Sequence, residues 1–185
     1  MVKKMNKLRK KQLTPIVLAV LLMIIGFINI SLPILGVINL KGTLLMSFGL
    51  IALFNLVSFC ITYKDKDLES ILTFAVSLGI MILSAILDLK QNVNIAIILM
   101  VWVAFISLIR LKKADYYDDR KNKAWIIQMV SIAIFILTGL LTSLNLSYSG
   151  KIQTLVLGYF FLINGILELV DPLILYLGKL NENRK

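Results

Sequence analysis

The sequence predicts an all-α polytopic membrane protein whose six transmembrane helices form three antiparallel hairpins. Apolar residues make up 59% of the 185 residues, whereas soluble domains carry roughly 45–50%. Mean hydropathy is +0.90, and six apolar runs approach or exceed the ~20 residues that cross a hydrocarbon core. These runs are continuously apolar rather than alternating, so they predict helices and exclude the strands of an outer-membrane barrel.

The apolar runs divide the chain into three parts. Residues 1–14 form a basic segment, residues 15–177 the transmembrane domain and residues 178–185 a tail. The predicted helices are 15–35, 42–62, 68–87, 93–109, 124–143 and 152–176. Pro15 suits a first helical turn, where its missing N–H has no intrahelical role. The first run has no small-residue cleavage pattern and exceeds a signal peptide's apolar region, so it is predicted to be an uncleaved helix.

The basic residues predict the orientation. Seventeen of the 20 lysines and arginines lie before the first helix, after the second, after the fourth and in the tail. The other side of the bundle has Lys41, Lys90 and Lys151. The positive-inside rule therefore places both termini in the cytoplasm. The same distribution argues against nucleic-acid binding despite the net charge of +10, because the cations follow the positive-inside pattern.

The connections on the less basic side are short, at about residues 36–41, 88–92 and 144–151. Short links make consecutive helices antiparallel neighbours. This spacing is the basis for the prediction of three hairpins.

Four glycines are predicted to be points of helix packing. A shift of 53 residues places Gly26 on Gly79, and a shift of 109 places Gly49 on Gly158, which indicates weak parallel repeats. The alternative is chance, because glycine is frequent in transmembrane helices. Ala75 and Gly79 are spaced four apart, a pattern that suits packing within the chain or a dimer interface.

The first hairpin carries the features of a known family. It has GFINISLP at Gly26–Pro33 and SFGLIALFN at residues 47–55. With three hairpins in about 185 residues, the chain resembles the HdeD-like acid-resistance membrane proteins. The middle hairpin departs from the pattern, because Asp88 and Lys90 occupy its turn without a proline and Trp102 replaces the returning glycine. The resemblance implies a role in acid or general stress tolerance at a bacterial cytoplasmic (inner) membrane, and it implies no catalytic residues.

Four polar residues are the candidate functional positions. Asn55 and Asn164 lie at similar depths in the second and sixth helices, and Glu168 follows Asn164 by one turn on the same face, with Asp171 continuing that face. An intramembrane carboxylate indicates a functional site, so a buried Glu168 would be a proton-responsive group. The alternative is that Pro172 ends the helix and leaves Glu168 near the interface, beside a lysine or arginine. The asparagines either hold helices together or contact a ligand.

The sequence predicts neither an enzyme nor a metal or cofactor site. The chain has no histidine and a single cysteine, Cys60, and it lacks GxSxG, HExxH, CxxC and phosphate-loop motifs. An intramembrane enzyme would require a polar cluster that these spacings do not provide.

The predicted function is therefore that of a non-enzymatic membrane component in stress tolerance. Its expected partners are the lipid bilayer and a second copy of the chain or another membrane protein. The alternative is a small transporter or proton-conducting channel that uses Glu168 and the Asn164 face.

Overall fold

The computed structural model describes residues 2–36, 40–62, 68–87, 92–118, 124–145, 150–170 and 172–173. In these residues it contains helices and no strand, which confirms the all-α class. The helices are α1 (Val2–Ile34), α2 (Leu40–Thr62), α3 (Leu68–Ile86), α4 (Asn92–Asp118), α5 (Ala124–Asn145) and α6 (Gly150–Glu168).

Two helices are longer than predicted. α1 begins at Val2, so Pro15 lies inside it rather than in its first turn. α4 continues to Asp118, beyond the predicted end at residue 109. In both cases the added residues include lysine, arginine and leucine, which favour helix although the added segments are not apolar overall. The length of an apolar run therefore predicted the membrane-crossing part of the helix and not the full length of the helix.

α6 ends earlier than predicted, at Glu168 rather than near Tyr176. Pro172 accounts for this end, because proline lacks the N–H that would donate to the carbonyl of Glu168. At the same point Leu169 N donates to Ile166 O, a tighter i to i−3 bond at 3.1 Å. Leu173 N also donates to Leu169 O at 3.1 Å, an i to i−4 bond, so helical hydrogen bonds do not stop at Pro172 although α6 itself ends at Glu168.

In the part of the chain that is described, five helices are long and apolar enough to cross a membrane. The qualifying segments are Pro15–Ile34, Leu40–Ile61, Leu68–Ile86, Val93–Lys112 and Trp125–Leu144. Their outer faces carry large exposed apolar side chains, such as Phe27, Met46 and Phe105. A continuous apolar exterior of this kind is suited to lipid, and the chain is a multi-pass membrane protein.

The most extensive helix contacts are α1 with α6, α2 with α3 and α4 with α5. Contacts of α1 with α2, α3 with α4 and α5 with α6 are smaller. The predicted grouping into three hairpins is therefore not confirmed. A short link makes two helices neighbours, but side-chain shape decides how closely they pack.

α1 leans toward α6 and away from α2. Near the end of α1 this leaves a crevice of about 250 Å³ against α2, with apolar walls that include Ile28 and Met46. Asn29 Nδ2 donates to Ser47 Oγ across 3.3 Å at its edge. The first two helices thus meet through a polar contact beside an open space.

Glycines bring α1 and α6 into backbone contact. A Cβ built on Gly26 would lie 2.7 Å from the carbonyl oxygen of Gly158, and one on Gly165 would lie 2.8 Å from that of Ala19. These pairs run in opposite directions, so the two helices are antiparallel. Gly49 has only a side-chain sulfur nearby, that of Met81, 3.3 Å from a built Cβ. Among the described residues, no atom of a neighbouring element lies within 4 Å of a Cβ built on Gly79, so this predicted packing glycine makes no close approach there.

The core is an aromatic cluster of Phe48, Trp102, Phe135, Phe160 and Phe161, all nearly inaccessible to solvent. Their rings meet mainly edge to face, with Trp102 5.5 Å from Phe48 and 5.8 Å from Phe135 between centroids. Edge-to-face pairs contribute beyond their buried area. Trp102 also donates from Nε1 to Ser77 Oγ on α3, at 3.3 Å. The residue predicted to replace a repeat glycine is thus the centre of the core.

Candidate functional site: a buried ion pair between α4 and α6

Arg110 lies on the buried face of α4. Trp102, Ile106, Arg110 and Ala114 follow at four-residue intervals, and each is at most 9% exposed. Residues four apart share one face of a helix, so the arginine continues an otherwise apolar stripe. The extension of α4 beyond residue 109 is what carries Arg110 into the bundle.

Two residues of α6 face this arginine. Arg110 Nη2 donates to Asn164 Oδ1 at 2.6 Å, and it also donates to Glu168 Oε1, with which it forms an ion pair. The Arg110 and Glu168 side chains are only 10% and 16% exposed. Charge-assisted hydrogen bonds of this kind are about twice as strong as neutral ones. The pair therefore joins α4 to the last turn of α6.

α5 provides a third contact with the arginine. The guanidinium carbon of Arg110 lies 4.2 Å from the centre of the Phe135 ring. A cation over an aromatic face is attracted by the electrons of the ring. Phe135 also packs on Trp102, so the charge of Arg110 is in direct contact with the aromatic core.

The end of α6 favours a cation at this position. Asn164 and Glu168 both lie in its last turns, and the C-terminal end of a helix carries a partial negative charge. Arg110 is thus held by a carboxylate, an amide oxygen, an aromatic face and the helix end together.

Two buried donors of this region have no hydrogen-bond partner. They are Arg110 Nη1 and Ser107 Oγ, among the described residues. Both groups belong to α4 and are one helical turn apart, so they lie on one side of the helix. Buried polar groups are nearly always paired, and exceptions often mark a functional position or a missing ligand.

The remaining predicted positions lie elsewhere. Asn55 is buried, and its Nδ2 donates to Ile51 O on its own helix at 2.8 Å. This bond is local to α2 and does not join the Arg110 cluster. Asp171 lies outside the described residues. The structure therefore brings together Glu168 and Asn164 and leaves Asn55 apart.

Arg110 is the residue that the sequence reasoning missed. It stood at the end of an apolar run and was counted among the cytoplasmic cations. A signal was present, however, because Arg110 falls four residues after Ile106 and eight after Trp102, and a lysine- and alanine-containing helix can follow it. Extending the buried face defined by Trp102 and Ile106 by one helical turn would have placed Arg110 in the interior of the bundle.

The described residues contain no group of three histidine, cysteine or acidic side chains that could hold a metal ion. The described contacts of the site are an ion pair, a hydrogen bond to an amide oxygen and a cation over an aromatic ring.

Comparison of this chain with protein-family models, with curated proteins and with solved structures gave no match. The resemblance to the HdeD-like proteins therefore stays a prediction from the residues of the first hairpin.

Proposed function

We propose that this chain is a non-enzymatic, multi-pass protein of the bacterial cytoplasmic membrane that supports tolerance of acid or general stress. In this proposal residues 1–14 and 178–185 face the cytoplasm and consecutive helices form three hairpins. The distribution of cations supports that orientation. The protein acts in the lipid bilayer as an oligomer or beside another membrane protein.

The observation that carries the proposal is the buried pair of Arg110 and Glu168. A proton taken up by Glu168 removes the negative charge that balances Arg110. An arginine left charged and unpaired in a bundle interior is strongly unfavourable. Acid would therefore weaken the contact between α4 and α6, which gives the bundle a response to protons without any catalytic group.

Few other charged groups face this pair. The described side chains of α1 (residues 15–36) and of α5 (residues 125–144) include no acidic or basic residue. On α2, Lys41 bonds the far end of α3 and Cys60 is exposed. Lys112 and Asp115, the other described charges near the end of α4, are exposed. On α3, Glu69 is exposed. Among the described residues, the charged partner of Glu168 is therefore Arg110.

The test is survival of a deletion strain after acid challenge. Loss of the gene should reduce survival, and the wild-type chain should restore it. Glu168→Gln should not restore it at equal protein level, whereas Lys112→Gln, which removes an exposed charge from the same helix, should. Unchanged survival of the deletion strain contradicts the proposal.

The orientation has a separate test. Reporter fusions after residue 5, in the link between α4 and α5 and in the tail should all report the cytoplasm. A fusion between α3 and α4 should report the opposite side. A periplasmic signal from the link between α4 and α5 contradicts the proposed topology.

A second candidate function is a small transporter or proton-conducting channel. It is favoured by the unpaired donors of Ser107 and Arg110 beside an ionisable pair. Purified protein in liposomes should then dissipate an imposed proton gradient, and Glu168→Gln should abolish this conductance. A gradient as stable as in protein-free liposomes contradicts the channel function while leaving the first proposal intact.

A further inference from the structure

Two buried donors on one face of α4 have no hydrogen-bond partner among the described residues. Ser107 is 5% exposed and Arg110 9% exposed, and neither Ser107 Oγ nor Arg110 Nη1 has a hydrogen-bond partner. The other terminal nitrogen of Arg110, Nη2, is fully used by Asn164 and Glu168. The cluster therefore has unused capacity to donate, and all of it comes from one turn of α4.

The chemistry of these donors favours an anion. A guanidinium nitrogen and a hydroxyl both donate hydrogen bonds, and guanidinium is weakly hydrated and binds anions readily in buried places. Among the described residues, the acidic group that contacts Arg110 is Glu168, and it is engaged with Nη2. Its ligand should accept hydrogen bonds from both groups at once.

Charge balance limits when an anion can bind. With Glu168 ionised the pair is neutral, and an added anion would bring a net negative charge into a low-dielectric interior, which is costly. With Glu168 protonated the arginine carries an unbalanced positive charge, and an anion restores neutrality. The proton and the anion thus stabilise each other, which is positive coupling between two ligands.

We propose that Ser107 and Arg110 form a binding site for a small monovalent anion, and that this site fills when Glu168 takes up a proton. This inference rests on the proposed role of the Arg110–Glu168 pair as a proton-responsive element. It adds that the bundle binds a proton at Glu168 and an anion at Ser107 and Arg110 together.

Chloride is the probe for the test. The full chain is purified in detergent micelles, and its thermal unfolding midpoint is measured in sodium chloride and in sodium gluconate at equal ionic strength. A ligand that binds the folded state raises this midpoint. For the wild-type chain we expect no difference between the salts at neutral pH. In acid, chloride should raise the midpoint by about 3–5 °C at ten times its half-saturating concentration.

Glu168→Gln makes the test independent of pH. Glutamine keeps the shape of a protonated glutamate, so this variant should respond to chloride at neutral pH. Adding Ser107→Ala should raise the half-saturating chloride concentration about tenfold, since one hydrogen bond to a charged partner is lost. Adding Lys112→Gln instead should leave it unchanged, because Lys112 is exposed on the same helix.

Two results would overturn the inference. One is a folded Glu168→Gln chain whose midpoint is the same in both salts, together with a wild-type chain that does not respond in acid. The other is an equal loss of response from Ser107→Ala and Lys112→Gln, which would indicate diffuse charge effects. Neither result depends on the survival of cells in acid, so failure here is distinguishable from failure of the proposed function.

Discussion

α6 is held on two sides by different forces. Against α1 it makes backbone contact at Gly26 and Gly158, where any side-chain atom would collide. Against α4 it relies on Glu168 and Asn164, which bind one guanidinium. Lipid tails remove the hydrophobic incentive for helices to associate, so close packing and polar bonds are what remain. The contact with α1 requires glycines, which have no side chain to collide. The contact with α4 requires the specific oxygen atoms that accept hydrogen bonds from Arg110.

The largest expected effect comes from breaking the polar contact. Glu168→Leu leaves Arg110 charged and unpaired, and removing one member of a buried pair typically destabilises a protein by about 3–5 kcal/mol. The free energy of unfolding, measured in mixed detergent micelles, should fall by that amount. Arg110→Met combined with Glu168→Leu should recover most of the loss, because no charge is then left buried. If the double variant is less stable than the single one, the lost stability does not come from an unpaired charge.

Breaking the packing contact should have the next largest effect. Gly158→Ala places a Cβ 2.8 Å from the carbonyl oxygen of Gly26. This overlap should destabilise the bundle by about 1–3 kcal/mol. Gly79→Ala is the matched control, since Gly79 has open space around it and alanine favours helix by about 1 kcal/mol. Equal effects of the two substitutions in the same unfolding measurement would contradict the importance of the α1–α6 contact.

The smallest expected effect is a stabilisation, and it comes from replacing Ser107. Ser107→Ala removes a buried hydroxyl that has no hydrogen-bond partner among the described residues, and such a group disfavours the folded state by about 1–3 kcal/mol. With the loss of contact atoms included, we expect a net stabilisation of about 1 kcal/mol. Ser84→Ala is the control, because Ser84 Oγ donates to Ile80 O at 2.8 Å and its removal should not stabilise. A destabilised Ser107→Ala chain would mean that this hydroxyl is paired in the membrane.

Much of the fold could be predicted from the sequence. Apolar runs located all six helices, of which five are long and apolar enough to cross a membrane in the described residues and α6 is not among them. The structure agrees with the predicted bounds within two residues at both ends of α2, α3 and α5. The pairing of helices could not be predicted, because short links such as residues 36–41 restrict which helices are neighbours but not how closely they pack. The contact of α1 with α6 depends on glycines that meet across the bundle, and repeat spacing had aligned Gly158 with Gly49 instead.

The site could be predicted only in part. Glu168 and Asn164 were found because a four-residue interval places both on one face. Arg110 was missed because hydropathy ends a helix at its first charge, whereas an arginine can be buried when a carboxylate from elsewhere balances it. That partner is 58 residues away, so local spacing carries no trace of it.

This separation along the chain also has a consequence for biosynthesis. A ribosome delivers α4 to the bilayer well before α6, and in that interval the arginine has no carboxylate and the glycine surface of α1 has nothing to rest against. A chain that ends before α6 therefore leaves the Arg110 guanidinium without its carboxylate, and it leaves the glycine-bearing face of α1 exposed to the surrounding lipid.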